Sequence, residues 1–254
     1  MHTFRSRALL VVLILLISLN APAQQKQFRA LLVTTTRGFH HESQHAGVLA
    51  IQELANKHYF EVKLFKDPNS FTDKNLEGFQ LVIFLNTTGD IFDSAQQQVM
   101  ERFIQAGKGF VGIHSASDTE YDWEWYTKLV GRMFHIHPQI QTAKLNILDP
   151  SFPGLTGFAP PRLWTDEWYE FGPEKTTGLN YILAVDENSY NPKADWGQRK
   201  GVGMGKLHPI AWYHTYDGGR SFYTNLGHMP TDFSDQAFLD HLYAGIFWAA
   251  TGKK

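Results

Sequence analysis

Imidazole, carboxylate and aromatic side chains of this 254-residue chain gather in a few short segments. Thr36-Arg37-Gly38-Phe39-His40-His41-Glu42 and His114-Ser115-Ala116-Ser117-Asp118 each follow an apolar run of strand character. Such groups can move protons near neutral pH, or hold a cation between neutral nitrogen and charged oxygen. A lone histidine is more often solvated or hydrogen-bonded in a core, but two clusters at equivalent strand ends weigh against that here. Gly112-Ile113-His114-Ser115-Ala116 has the shape of a nucleophile elbow with His114 at its apex. The G-x-S-x-G pattern is absent, so a serine hydrolase is not expected.

Three further segments supply donors. Phe134-His135-Ile136-His137-Pro138 sets two imidazoles at i and i+2, one face of an extended chain, either half of a metal site or a polar turn before a strand. Trp164-Thr165-Asp166-Glu167-Trp168-Tyr169 embeds two carboxylates among three aromatics, where lost hydration would raise their affinity for a proton or cation. Trp212-Tyr213-His214 and Gly227-His228-Met229-Pro230 close short strands. Aromatics with convergent polar groups also describe a sugar pocket, since a pyranose lays its apolar face on a ring while its hydroxyls take hydrogen bonds.

Composition narrows the chemistry. There is no cysteine, which removes disulfides, thiolate metal ligands and a cysteine nucleophile. Lys and Arg total 23 against 25 Asp and Glu, so no basic surplus favours a nucleic-acid partner. Hydrophobic residues make up 43%, enough to bury a core.

Met1 to Ala23 has the layout of a cleavable signal peptide: Arg5 and Arg7, an apolar stretch from Ala8 to Leu19, then Ala21-Pro22-Ala23. The stretch is shorter than the roughly 20 residues of a spanning helix. Its removal takes two basic residues and no acidic one, leaving 21 against 25. The expected mature protein, residues 24–254, is a single mildly acidic domain, secreted or periplasmic and free of the membrane.

The elements that must position these residues read as an α/β protein. Phe28 to Thr35, Gln80 to Leu85 and Lys108 to His114 read as buried strands, and Phe60 to Phe65 as a more exposed one. Ser43 is expected to open a helix, and Asp93-Ser94-Ala95-Gln96 has capping-box spacing before the stripe Val99, Met100, Phe103, Ile104. This order predicts a doubly wound parallel sheet with right-handed crossovers, whose ligands lie beyond the carboxyl ends of the strands. Later, Gln139 to Leu148, Tyr181 to Val185 and Pro209 to Tyr213 are strand-like. The turn Asp217-Gly218-Gly219 predicts a hairpin with Arg220 to Leu226, and Ser234 is expected to cap a last helix with Phe238, Leu242, Ile246 and Ala249 in one row.

The ordered set Arg37 to Glu42, Gly112 to Tyr121, Phe134 to Pro138, Asp166 to Tyr169 and Pro209 to His228 resembles the ThuA-like, or trehalose-utilisation, family from about Phe28 to Gly252. The resemblance implies a flavodoxin-like fold akin to class I glutamine amidotransferases, with His114 where those enzymes carry cysteine, so glutamine hydrolysis is not implied. It implies a carbohydrate-linked role and draws attention to His41, His114, Glu167 and His228. The chain departs from shorter members in carrying Ala116 and Asp118 where those have a glycine and a second histidine.

On this basis the chain is expected to be an exported enzyme, a hydrolase or lyase, acting on a glycoside or keto-sugar by acid/base chemistry. Glu167 or His41 is the expected base. His114, Glu167 and His228 are candidates to hold a divalent metal, zinc or manganese in the absence of thiolates. Arg37, His40, Ser115, Asp118, His137, Trp168, Tyr169, Trp212 and His214 are the expected substrate-binding residues for a small carbohydrate. The alternative is a non-catalytic sugar-binding or interaction protein that needs the aromatics but not the clustered histidines.

Overall fold

The structure, a computed structural model, describes residues 25–65 and 67–254. The expected leader lies outside the described residues. The four strands expected in the first half are β1 (Arg29–Val33), β2 (Glu61–Phe65), β3 (Leu81–Leu85) and β4 (Gly109–Ile113). The helices among and after them are α1 (Gln44–Lys57), α2 (Asp73–Leu76), α3 (Ser94–Gln105) and α4 (Glu124–Val130). The second half adds β5 (Gln141–Ile147), β6 (Leu163–Asp166), β7 (Asn180–Asp186), β8 (His208–Tyr216), β9 (Gly219–Thr224) and α5 (Gln236–Thr251).

These nine strands join one sheet in the order β2-β1-β3-β4-β9-β8-β7-β5-β6. The first five are parallel, and β8, β7, β5 and β6 extend them antiparallel. The α/β architecture is therefore as expected on the parallel side, with a mixed sheet as the full description. Alternation along the strands sorts the core into two layers. Leu32, Ile83, Leu85, Val111 and Ile113 face α1 and α5, while Leu31, Val33, Val82, Phe84 and Phe110 face α3 and α4. Burial on both faces is why these strands read as unbroken apolar runs.

Local signals act largely as expected. Asp93 and Gln96 form a reciprocal capping box at the start of α3, and the stripe behind it is buried. Two expected caps differ. Ser43 precedes α1 but does not cap it: its hydroxyl donates to the Gly227 carbonyl at 2.8 Å and accepts from Asn86 Nδ2 at 2.7 Å, which ties the helix start to the loop carrying His228. At α5 the cap is Asp235, whose carboxylate accepts from the Ala237 amide. Ser234 instead donates to the Thr231 carbonyl.

Two short ribbons stand beside the sheet. Phe134–Ile136 pairs with Glu170–Phe171, and Ala194–Asp195 pairs with Lys200–Gly201. They bring the loops that follow β4, β6 and β7 towards the carboxyl end of the parallel strands. Among the described residues no helix is long and apolar enough to cross a membrane.

Candidate active site and cation-binding cluster

His114 is the first residue past β4, and its φ of 51° turns the chain abruptly into a 3-10 turn, His114–Asp118. A residue other than glycine held in this left-handed region is uncommon and marks a site whose surroundings fix it. The elbow expected from the sequence is therefore real, with an imidazole at its apex. His114 Nδ1 donates to the Asn225 carbonyl at 2.7 Å, which leaves Nε2 with its lone pair, 3.0 Å from the Tyr169 hydroxyl oxygen.

Three other segments converge on that nitrogen. His41 ends the loop after β1, Glu167 follows β6, and His228 lies in the loop after β9. One ligand atom from each of His41, His114, Glu167 and His228 lies within 4.8 Å of all the others. Glu167 Oε2 is 3.1 Å from His228 Nδ1 and 3.4 Å from His114 Nε2, and the two imidazole nitrogens are themselves 3.1 Å apart. Glu167 Oε1 turns the other way, 3.2 Å from His137 Nε2.

The neighbouring acid has a different task. Asp166 is fully buried and accepts from the Glu167 amide at 2.8 Å and the Gly227 amide at 3.1 Å, so it fixes the two segments that end at Glu167 and His228. Gly227 has φ of 118°, and a side chain there would press on Ile113 and Phe233, so glycine is needed at this joint. Burial pushes the Asp166 carboxyl well up, and Asp232 beside it adds to the shift. Burial likewise brings Asp232 to about 6.

The protonation states fit a cation. Burial, with the neighbouring imidazoles of His114 and His228, lowers His41 to about 2, and burial lowers His114 as well, so both rings are neutral. Burial alone would raise Glu167, but the close imidazoles of His114 and His228 outweigh it and hold the carboxylate below its usual range. With Nδ1 of His114 committed to a carbonyl, its Nε2 carries a lone pair 3.4 Å from the charged Oε2 of Glu167. Two acceptors facing each other repel, and a divalent ion between them would relieve that. Neutral imidazole and ionised carboxylate are the forms that bind metal, and a backbone carbonyl behind the ligating histidine sets its tautomer.

A cavity of about 330 Å³ opens on the cluster, lined by Phe39, His41, Asp118, Phe134, His137, Glu167, Tyr169, Trp196 and Arg199. Of the expected binding residues, Asp118, His137 and Tyr169 are thus on the wall, and Ser115 lies behind His41 with Oγ 3.3 Å from Nδ1. Arg37 and His40 are exposed and outside the wall. Trp168, Trp212 and His214 require correction, since all three are buried in the core. Their donors go to the carbonyls of Gln141, Val130 and Leu129, respectively; Trp212 and His214 lie on β8, where cover on both faces turns side chains into packing, and Trp168 packs beneath the segment that leaves β6. The pair His135 and His137 is split, His135 Nε2 donating to the Lys200 carbonyl.

Sequence reasoning missed Phe39, Phe134, Trp196 and Arg199 as wall residues. The available signal was Asp195-Trp196-Gly197, a tryptophan in a polar turn where packing does not require one.

A family model described as trehalose utilisation, ThuA, matches residues 29–249. Among solved structures, the chain is similar to a protein described as ThuA-like from Bacteroides uniformis, at 21% identity and a TM-score of 0.72, covering 92% of this chain and 97% of that one. A second, described likewise and from Parabacteroides merdae, is 21% identical with a TM-score of 0.67, covering 90% and 91%. A cytoplasmic protein from Salmonella typhimurium is 7% identical with a TM-score of 0.58, covering 88% and 99%. A search of the curated proteins finds no match.

Proposed function

The chain belongs to the ThuA, trehalose-utilisation, family, and from that premise we propose that it is an exported enzyme acting on a glycoside or keto-sugar at the cluster of His41, His114, Glu167 and His228. The observation that carries this reading is the meeting of three imidazoles and one carboxylate, from four separate loops, beside a ring-lined cavity whose wall includes His41 and Glu167. Glutamine hydrolysis does not fit, because His114 stands at the elbow and the chain has no cysteine.

His41, His114, His228 and Oε2 of Glu167 are the residues that would hold a divalent ion, zinc or manganese. When bound, the ion supplies Lewis acidity, polarising a sugar carbonyl and stabilising the charge that develops on its oxygen. A carbonyl of this kind acidifies the adjacent carbon, so removal of that proton can expel a glycosidic oxygen one carbon further on.

Proton transfer falls to the wall of the cavity. Glu167 is held ionised by its imidazole neighbours, and that stabilisation makes it a weak base. His137 is better placed: Nδ1 lies 2.8 Å from the Pro138 carbonyl and Nε2 faces Glu167 Oε1. With Nδ1 on that carbonyl, Nε2 can take the proton from carbon and give it to the departing oxygen, and water adding to the unsaturated sugar then returns a proton from solvent to the same carbon.

The test is a proton NMR time course of purified protein with keto-glycosides and their unoxidised parents in D₂O. Release of free sugar with solvent deuterium on the carbon beside the carbonyl is expected. A His137→Gln variant should be slower by about 10²- to 10⁴-fold, the usual contribution of general acid/base catalysis. Tight binding with neither release nor exchange would favour a sugar-binding protein instead.

A further inference from the structure

The cavity beside the cluster continues past Trp196. A second cavity of about 540 Å³ shares His137 and Trp196 with the first and is bounded by Gln139, Asn191, Lys193 and Asp195. The partition between them is built. Trp196 sits in the turn of the Ala194–Asp195 and Lys200–Gly201 ribbon, its amide donating to the Arg199 carbonyl at 2.8 Å. Its ring meets His137 edge-on with centroids 4.8 Å apart. The ribbon's base is fastened by His135 to the Lys200 carbonyl and by the Gly203 amide to Glu170 Oε2 at 2.7 Å.

The chemistry of the two spaces differs. Phe39 and Trp196, 66% and 48% exposed, both border the first, an unusual display of ring surface at the mouth of a pocket. Ring faces of this kind suit a pyranose. The second is polar, and among the described residues the side-chain amide of Gln139 and Nζ of Lys193 make no hydrogen bond. A hydroxyl-rich group could engage these donors, whereas an aromatic or aliphatic one would displace their water without replacing its hydrogen bonds.

We propose that the two cavities are consecutive subsites for a two-ring glycoside, with one pyranose beside the cluster, a second in the polar groove, and Trp196 as the ring both of them touch. This rests on the reading of the cluster as a carbohydrate site. It assigns the groove to recognition of the second sugar, and so to preference for a saccharide over an aryl glycoside.

Isothermal titration calorimetry on the mature protein tests it, with trehalose, maltose and cellobiose against glucose and phenyl glucoside. At least one disaccharide is expected to bind about tenfold more tightly than glucose or phenyl glucoside. A Gln139→Ala, Lys193→Ala double variant should weaken that disaccharide by about three- to tenfold, the loss of one or two hydrogen bonds, and leave glucose unchanged. Retained glucose binding shows that the variant is folded. Equal affinity for phenyl glucoside and the disaccharides, or a double variant that binds the disaccharide as the wild type does, overturns the subsite assignment while leaving the carbohydrate reading intact. Failure of every saccharide to bind overturns both.

Discussion

Asp166 and Gly227, 61 positions apart, are joined by a hydrogen bond of 3.1 Å from the glycine amide to Asp166 Oδ2. Because Glu167 follows one partner and His228 the other, this bond sets the spacing of two cluster residues. The second carboxyl oxygen takes the Glu167 amide, so a single buried side chain holds both backbone segments.

Asp166→Ala leaves two buried amides without an acceptor, at a cost of about 1–3 kcal/mol each. A destabilisation of about 2–6 kcal/mol is expected in urea unfolding, with Asp166→Asn, which keeps one acceptor oxygen, losing less. A wild-type unfolding midpoint for the alanine variant would show that the bond does not bind the loops.

Stability should fall on the acid side of neutrality. His41 is kept neutral by burial and by His114 and His228, which lower it to about 2. Its unfolded counterpart takes up a proton below its ordinary value of 6.5, so the unfolded state binds more protons there and stability drops as pH falls. The contribution is about 1.4 kcal/mol per pH unit. Melting temperatures at pH 7.5, 6.5 and 5.5 should decline more steeply for the wild type than for His41→Gln, and parallel curves would contradict the assignment.

The parallel half of the fold was legible because its strands are buried on both faces. Leu81 to Leu85 has no polar residue to obscure it, and His114 stands where that pattern stops. The same double burial hid the fate of Trp212 and His214, whose residue types suit a pocket as well as a core. Nothing local distinguishes Asp166 from Glu167. Their division of labour comes from the segment 167–169 crossing back from the sheet edge, where the Tyr169 amide reaches Asn225 Oδ1 at 3.2 Å. Trp196 sits on a ribbon with two residues per strand, too short for any periodicity to register.

Export is expected to remove the first 23 residues. Periplasmic extraction and N-terminal sequencing should find a start at Gln24 or within a residue or two of it, and a full-length chain in the membrane pellet would refute cleavage.

Whether His41, His114, Glu167 and His228 act as one cation-binding catalytic centre is decided by metal analysis of protein purified without a histidine tag. About one equivalent of zinc or manganese per chain is expected, falling to near zero in a folded His114→Ala, His228→Ala double variant together with activity. Wild-type protein that holds neither metal after incubation with both and removal of the excess, or a double variant that keeps its full equivalent, would contradict it.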